Sequence, residues 1–263
     1  MMNKTWEDDW RRSLHSSSCR RIIDEKGWSN DRFWREWTAY AQVVKLGGYP
    51  GKLVDLVQAN MEPGSTLLDI GAGTGAFALP LAATCRQIIA LDPSRHQLNL
   101  LAEQAQAQSI DNIVLQQASW PEAAAALVEP VDYCLASYSM FTDDIRAFLS
   151  RLAETARRGF FIVFRAGPVD PLRTFCYGPA FAVDYLCLYN ILHDLGYLCD
   201  VHIVERQYMI PLSLVIEQYR FSHRTPAEIE YFLRENGRLV DKDGEQHCRH
   251  RVLDALLYWK RSV

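Results

Sequence analysis

A short apolar segment that runs directly into alternating glycines constrains this chain more than any other feature. Leu67 to Ile70 is too short for a helix, and Gly71, Gly73 and Gly75 follow it at once. This pattern is typical of a strand in a parallel sheet that ends in a glycine-rich turn. Glycine admits positive φ there and lets a ligand approach the main chain, and the helix after the turn presents free N–H groups to that ligand.

A second short apolar strand follows and ends in a carboxylate. Ile88 to Leu91 is apolar, and Asp92 comes directly after it. In a β-α-β unit, an acid at the tip of the second strand can accept hydrogen bonds from both ribose hydroxyls of a nucleoside. The order of strand, glycine loop, helix, strand and acid therefore predicts a nucleoside-binding half-site.

The glycine spacing distinguishes between classes of nucleoside. A dinucleotide fingerprint reads GxGxxG, whereas here Asp69 precedes Gly71-x-Gly73-x-Gly75. An acid beside the loop repels a pyrophosphate and attracts a cationic amino-acid moiety. The motif resembles motif I of the class I S-adenosylmethionine (SAM) methyltransferases, and Asp92 resembles the acid that their second strand offers to the ribose.

The resemblance extends over roughly residues 35 to 263. It implies an α/β fold, with a Rossmann-like, seven-stranded mixed sheet that is mostly parallel, has an antiparallel last strand and is flanked by helices. We expect an N-terminal helical lid over residues 1–60 and a methyltransferase domain over 61–263, in which 166–195 and 208–247 are substrate-side excursions. The implied cofactor is SAM, with S-adenosylhomocysteine (SAH) as its product.

The resemblance also implies a cofactor site, residue by residue. Its members lie in the lid and at the predicted strand tips, and they are Tyr40, Asp69, Gly71, Ala72, Gly73, Gly75, Asp92, Pro93, Ser119, Trp120 and Ser137. Asp69 and the glycine backbone are expected to cradle the amino-acid part of SAM, and Asp92 its ribose. Ser119 stands where the family often has an aspartate beside the adenine. Trp120 either stacks on the adenine or fills the core.

Three further side chains are candidates for contact with the acceptor. Tyr138 follows the fourth predicted strand, and ligands of an open parallel sheet bind outside the carboxyl ends of its strands. Arg165 ends the fifth strand, where a guanidinium could hold a substrate carboxylate or pair with a surface acid. Tyr177 lies in an aromatic segment that suits an apolar or flat acceptor.

In the family, a tyrosine or tryptophan near the end of an N-terminal helix closes over the cofactor, which makes Tyr40 a candidate lid residue.

The implied reaction is an in-line displacement that moves the SAM methyl group to an acceptor nucleophile. Because the sulfonium is already a good leaving group, the protein mainly has to align donor and acceptor. An oxygen acceptor would need a base more than an amine or a thiol would. The sequence identifies no general base, so no catalytic residue is assigned.

Several other functions stay open. A SAM-binding regulator or assembly protein would bind SAM without turnover, and a protein or an RNA could replace the small-molecule acceptor. A nicotinamide-dependent oxidoreductase is disfavoured by the missing GxGxxG spacing. Aminopropyl transfer from decarboxylated SAM is disfavoured because Ser137-Tyr138-Ser139 offers no second acid, and the Asn/Asp-Pro-Pro-aromatic motif of base methyltransferases is absent there as well.

Composition bounds the partners. The formal net charge of -4 gives no bulk attraction to nucleic acid or to an anionic membrane, so neither DNA nor a membrane is an expected partner. The seven cysteines are scattered without a CxxC pair, which indicates free thiols in a reducing compartment. We therefore expect a cytoplasmic protein, and separately we expect it to be a monomer or a homodimer. The segment His247-Cys248-Arg249-His250 lacks a second ligand pair, so no metal site is expected.

Overall fold

The computed structural model describes residues 5–123 and 131–261. Residues 1–4 of the predicted lid, and residues 124–130 and 262–263 of the predicted methyltransferase domain, lie outside these ranges. The described part begins with helices α1 (Trp6–Ser16), α2 (Ser18–Lys26), α3 (Asn30–Glu36), α4 (Ala39–Leu46) and α5 (Lys52–Ala59).

Strands and helices then follow one another along the chain. In chain order they are β1 (Thr66–Ile70), α6 (Ala78–Leu81), β2 (Gln87–Asp92), α7 (Arg95–Ala107), β3 (Ile113–Gln117), β4 (Val131–Ser137), α8 (Ile145–Thr155), β5 (Ala156–Arg165), α9 (Pro171–Tyr177), α10 (Tyr185–Asp194), β6 (Asp200–Pro211), α11 (Leu212–Gln218), α12 (Pro226–Glu235), β7 (Leu239–Lys242) and β8 (Glu245–Lys260). Several helix starts are set by local sequence. For example, Thr5 before α1 and Thr225 before α12 each form a capping box with an acid three residues later.

The strands form one sheet in the order β3-β2-β1-β4-β5-β8-β6. Strands β1 to β5 are parallel, and β8 runs antiparallel to both of its neighbours, β5 and β6. The expectation of a mostly parallel mixed sheet with an antiparallel last strand is confirmed. Within residues 5–123 and 131–261 the sheet has eight strands rather than the expected seven, because β7 pairs with the start of β8. The turn between β7 and β8 consists of Asp243 and Gly244, and both residues adopt the positive φ that a tight hairpin requires.

The strand order places a ligand-binding crevice at β1. This strand lies between β2 and β4, so the direction of winding reverses there, and Asp69 is in register with Ala90 on one side and Leu135 on the other. In open α/β sheets, ligands bind outside the carboxyl ends of the strands at such a switch point. The crevice is therefore expected where Asp69 and the glycine loop lie.

Helices cover both faces of the sheet. One buried cluster joins Leu68 of β1 with Phe148 of α8 and Leu188 of α10, whereas another joins Leu67 of β1 with Leu53 of α5. These side chains are at most 2% exposed. The strands β1, β4 and β5 are thus buried from both sides, as is usual for parallel sheets, and they hold the crevice on a rigid base.

The first helices reach over the carboxyl edge of the sheet. Trp10 Nε1 of α1 donates to the Thr142 carbonyl, 2.9 Å away, beyond β4. Asp31 Oδ1 of α3 accepts hydrogen bonds from Ser94 Oγ at 2.8 Å and from the amide of His96 at 3.1 Å, beyond β2. The helical lead-in therefore closes the edge at which the predicted site lies. In the described ranges, every helix is too short or too polar to cross a bilayer.

Candidate functional site

The glycine loop after β1 is folded tightly against its neighbours. Gly71, Gly73 and Gly75 have φ of 71°, 54° and 88°, which an L side chain adopts only with strain. The amides of Gly71 and Ala72 donate to the Leu91 carbonyl of β2, at 2.7 and 3.0 Å. A Cβ on Gly75 would lie 2.3 Å from Leu101 Cδ1. The loop therefore requires glycine for its backbone conformation and also for its packing.

Asp69 is a buried carboxylate at the tip of β1. Its side chain is 2% exposed, and its Oδ2 has no hydrogen-bond partner among the described residues. Burial, reinforced by the negative charge of Asp92, raises the pKa of Asp69 to about 7. A buried polar atom without a partner is costly unless a ligand satisfies it, and a carboxylate best accepts from a cationic donor. Asp69 thus fits the ammonium of an amino-acid moiety such as that of SAM.

Gln97 of α7 lies beside the same loop. It is 4% exposed, and its Oε1 also has no partner within the described part of the chain. A Cβ on Gly73 would lie 3.9 Å from this oxygen. Gln97 is not among the site residues that the sequence predicted. A glutamine on the apolar face of an amphipathic helix is the signal that could have identified it.

Asp92 holds the glycine loop from the end of β2. Its Oδ2 accepts from the Gly73 amide at 2.9 Å, and its Oδ1 accepts from the Ser94 amide, across Pro93, at 2.8 Å. The residue is 7% exposed, and burial raises its pKa. Each carboxylate oxygen can accept more than one hydrogen bond. Asp92 therefore organises the loop and still has acceptor capacity for ribose hydroxyls.

Tyr40 lies in an aromatic cluster above this edge. Its ring centroid is 4.9 Å from that of Trp34 and 5.3 Å from that of Trp37. Burial, with the nearby charge of Asp92 as the next cause, raises the pKa of Tyr40 to about 12. The phenol is therefore within electrostatic range of Asp92, in the helical segment that covers the strand tips.

The loop after β4 forms the next part of the site. The hydroxyl groups of Ser137 and Tyr49 are hydrogen-bonded to each other. Tyr138 has φ of 53° and is 36% exposed, while its hydroxyl donates to Asp254 Oδ1 at 2.6 Å. Ser139 Oγ donates to the Ile70 carbonyl at 2.5 Å. The tips of β1 and β4 are thus tied together, and the Tyr138 hydroxyl is fixed on Asp254 although the residue as a whole is partly exposed.

Asp254 and Arg206 form an ion pair beneath this loop that sequence reasoning missed. Asp254 of β8 is fully buried, and its Oδ2 accepts from Arg206 Nε at 2.6 Å. Arg206 Nη1 donates to the Gly47 carbonyl at 3.0 Å, and its guanidinium lies 4.8 Å from the centre of the Tyr49 ring. An aspartate at the centre of the last apolar run, Val252 to Trp259, is the sequence signal that could have revealed the pair.

The two remaining predicted cofactor residues follow β3, next to Asp92, since the Ala118 amide donates to the Asp92 carbonyl at 3.3 Å. Trp120 is 8% exposed, its ring contacts that of Phe148 at 6.3 Å, and its Nε1 donates to the Phe148 carbonyl at 3.3 Å. The indole fills the core beneath α8, which favours the second interpretation of this residue. Ser119 is exposed after β3 and accepts, through its carbonyl, from the Ala123 amide.

Two predicted substrate residues also have other contacts. Both ends of the Arg165 guanidinium are engaged by backbone, because Nη1 donates to the Gly167 carbonyl at 2.7 Å and Nη2 to that of Val183. Arg165 therefore fastens the segment after β5 to the sheet. The Tyr177 ring lies 5.8 Å from that of Tyr219, at a cleft beside the lead-in helices.

Comparisons with known proteins agree with this geometry. Residues 67–159 match the model of a family described as a methyltransferase domain. In sequence, the chain is similar to an uncharacterized protein of Haemophilus influenzae, with 33% identity over 108 residues, which are 41% of this chain and 40% of that protein. The chain thus spans less than half the length of this curated relative.

Solved structures share the fold. The chain is similar to the YcgJ protein of Bacillus subtilis, with a TM-score of 0.56 and 16% identity, over 80% of this chain and 98% of that one. It is also similar to precorrin-6y C5,15-methyltransferase of Geobacter metallireducens, with a TM-score of 0.51 and 16% identity, over 80% and 87% of the two chains. At these identities, the likenesses concern the fold alone.

Proposed function

We propose that this chain, which belongs to the class I SAM-dependent methyltransferase family, transfers the SAM methyl group to a small-molecule acceptor. One observation carries the proposal. The buried Asp69 Oδ2, which has no partner among the described residues, lies beside a glycine loop that Asp92 holds from the neighbouring strand. A ligand that combines an ammonium with a ribose suits these adjacent strand tips, because Asp69 can accept from the ammonium and Asp92 can accept from the ribose hydroxyls.

Each part of the site has a role in this proposal. Asp69 accepts from the ammonium of the amino-acid moiety, and the backbone of Gly71 to Gly75 lets that moiety approach closely. Asp92 accepts from the ribose hydroxyls. Bound SAM would supply a methyl group on a sulfonium, which leaves as a neutral thioether. The remaining task of the protein is to align the acceptor with that methyl group and to exclude water.

The acceptor side is formed by the loop after β4 and by the lead-in helices. Ser137 and Tyr138 lie at the strand tip nearest to β1, and Tyr40 lies in the cover above Asp92. Asp254 is fully buried and paired with Arg206, which makes it a support for Tyr138 rather than a base in contact with the acceptor. We infer that the acceptor is aligned by packing and hydrogen bonds.

A small acceptor is favoured by how closely the edge is covered. Contacts of Trp10 with Thr142 and of Asp31 with Ser94 hold helices α1 and α3 over the strand tips. Such a cover leaves less room for a folded protein or a nucleic-acid duplex than for a small molecule. The net charge of -4 also gives no electrostatic attraction to RNA.

The test is transfer of an isotopically labelled methyl group from SAM. The full-length protein is incubated with labelled SAM and, separately, with pools of small phenols, amines, thiols and carboxylic acids, with total RNA and with a protein extract. We expect label in a small-molecule pool, with stoichiometric SAH, and loss of both with Asp92→Asn. Label found only in RNA or protein would contradict the proposed acceptor class. SAM binding without transfer to any pool would indicate a SAM-binding regulator or assembly protein.

A further inference from the structure

Strand β6 forms one border of the sheet and is long for a border strand. It spans twelve residues, Asp200–Pro211, whereas β3 at the opposite border has five. All twelve residues pair with β8 in one continuous register. Within the described ranges, the main chain of β6 bonds to other main-chain groups only in this ladder, so the groups on its outer side have no main-chain partner. An edge of this kind is a template for another strand.

This edge lacks the features that usually prevent such pairing. Proteins protect a border strand by keeping it short, by a bulge, by a proline within it or by unpaired charges along it. Over residues 200–211 the pairing with β8 has no register shift, and the only proline is the last residue, Pro211. The two central charges are neutralised within the chain, because Glu205 pairs with Arg251 at 2.8 Å and Arg206 pairs with Asp254 at 2.6 Å. The edge is therefore open to a further strand.

The two faces of β6 differ in exposure. Side chains alternate between the faces of a strand. Val204 and Ile210 are buried on one face, whereas Ile203 and Met209 are 49% and 42% exposed on the other. Ile203 and Met209 stand symmetrically about residue 206, three positions before it and three after it. An exposed apolar pair placed symmetrically on an open edge suits a partner with the same pattern, which is a second copy of this chain.

We propose that the protein forms a homodimer in which the β6 strands of two copies pair antiparallel about a two-fold axis through Arg206. In this register, Ile203 of each copy lies opposite Met209 of the other copy. Glu205 lies opposite Gln207 in the same way. Cross-strand pairs that join apolar side chains stabilise a sheet, and no like charges face each other on the exposed face. The sheet then continues from one subunit into the other.

The neighbouring registers fit less well. Residues directly opposite each other share a face of the sheet, so the two-fold axis of such a pair passes through a residue. With the axis through Glu205, the two Glu205 carboxylates would lie opposite each other, which is destabilising. With the axis through Gln207, each Glu205 would lie opposite an apolar Met209. With the axis through Arg206, the two guanidinium groups meet on the buried face, where Asp254 neutralises each of them within its own subunit.

The interface adjoins the acceptor side of the proposed site. Arg206, at the centre of the interface, pairs with Asp254, and Asp254 accepts from the Tyr138 hydroxyl after β4. The two acceptor sides would therefore lie on either side of the two-fold axis. The inference itself does not depend on methyl transfer, because it rests on the edge of β6 alone.

Sedimentation velocity of the full-length protein tests the dimer, over concentrations from about 1 to about 100 μM. We expect a species of twice the monomer mass. Ile203→Lys and Met209→Glu should each weaken the dimer by about tenfold or more, because each variant replaces two symmetric apolar contacts. Combining Ile203→Lys with Met209→Glu places opposite charges opposite each other twice, and the dimer should recover to within about threefold of the wild type.

Val114→Lys is the matched control, because Val114 is 47% exposed on the other border strand, β3, and this variant should leave the dimer unchanged. Circular dichroism checks that each variant is folded, which we expect since the changed side chains are exposed. A wild type that stays monomeric over the whole concentration range would overturn the proposal. A dimer weakened by Val114→Lys but not by Ile203→Lys would also overturn it, and so would a double variant that dimerises no better than either single variant.

Discussion

Gly71 and Ser139 approach so closely that a Cβ on Gly71 would lie 2.2 Å from the Cβ of Ser139. Gly71 follows β1 and Ser139 follows β4, so this contact joins the two strand tips on which the proposed site is built. Ser139 Oγ also donates to the Ile70 carbonyl at 2.5 Å. The spacing between the two loops is therefore fixed by the absence of a side chain at residue 71.

The first prediction concerns this contact. Gly71→Ala should reduce the affinity for SAH by about tenfold or more, because the loops must separate and because φ of 71° is strained for alanine. Gly64→Ala is the matched control, since Gly64 has φ of 75° and open space around its Cβ position. That variant should lose about 1–2 kcal/mol of stability from backbone strain alone and keep its SAH affinity. Equal affinity for SAH in the Gly71 variant and the wild type would contradict the prediction.

The second prediction is a pH dependence that comes from Asp69. Its pKa in the folded chain is about 7, above the ordinary value of 3.8, because of burial and the charge of Asp92. Between about pH 4 and pH 7, the unfolded chain has lost this proton and the folded chain retains it, so the contribution of Asp69 to stability falls as pH rises through this window. Chemical denaturation at a series of pH values measures this decline in the free energy of unfolding, and Asp69→Asn should remove the part of it that comes from Asp69.

The affinity for SAM should change in the opposite direction. The cationic amino-acid moiety favours the ionised carboxylate, so SAM should bind more weakly as pH falls below 7, where Asp69 takes up its proton. In Asp69→Asn, the affinity should be lower by about tenfold or more and should lack this step. Calorimetric titration from pH 6 to pH 8.5 measures both effects. A wild-type affinity that rises toward acid pH would contradict this assignment.

The third prediction concerns the support of Tyr138. Tyr138→Phe removes the hydrogen bond to the fully buried Asp254 Oδ1 and should cost about 1–3 kcal/mol of stability. Arg206→Met should cost more, about 3–5 kcal/mol, because it leaves a buried carboxylate without its cation. Tyr231→Phe, at a ring that is 64% exposed, is the control and should change little. Chemical denaturation measures the free energy of unfolding of each variant and so gives their order of stability. A Tyr138 variant as stable as the control would contradict a stabilising role for the hydrogen bonds that join Tyr138, Asp254 and Arg206.

The fourth prediction decides between the two interpretations of Trp120. If its indole fills the core, Trp120→Phe should lose about 1–3 kcal/mol of stability, through lost volume and a lost hydrogen bond to Phe148, and keep its SAH affinity within about twofold. Trp6→Phe, at a side chain that is 43% exposed, is the control. The opposite result, with normal stability and weakened SAH binding, would instead support the interpretation that Trp120 stacks on the adenine.

Local sequence was sufficient to predict the first half of the sheet. β1, the glycine loop and β2 are contiguous, and their burial and turn signals all lie within Thr66–Asp92. The mostly parallel sheet with an antiparallel last strand was predicted from the resemblance of this segment to the class I SAM methyltransferases. The extra strand β7 was not predicted, because a four-residue strand next to a tight turn carries too little apolar periodicity to separate it from a loop.

Long-range partners account for what the sequence did not reveal. Arg165 stands at a strand tip, as expected, but its guanidinium is occupied by the Gly167 and Val183 carbonyls. Asp254 and Arg206 are far apart in sequence and meet only because β6 and β8 are paired. Whether a polar side chain at a strand tip is free or engaged depends on such contacts, and residue type and spacing do not encode them.

The cofactor is tested most directly by calorimetric titration of the full-length protein with SAM, SAH and NAD at pH 8. We predict that SAM and SAH bind in the micromolar range, that NAD does not bind, and that Asp92→Ala loses both SAM species while its circular dichroism spectrum is unchanged. Asp111→Asn, at an exposed residue before β3, should bind as the wild type does. Tight binding of NAD without SAM would contradict the assignment of the glycine loop, and silence toward all three nucleosides would contradict a nucleoside site at β1.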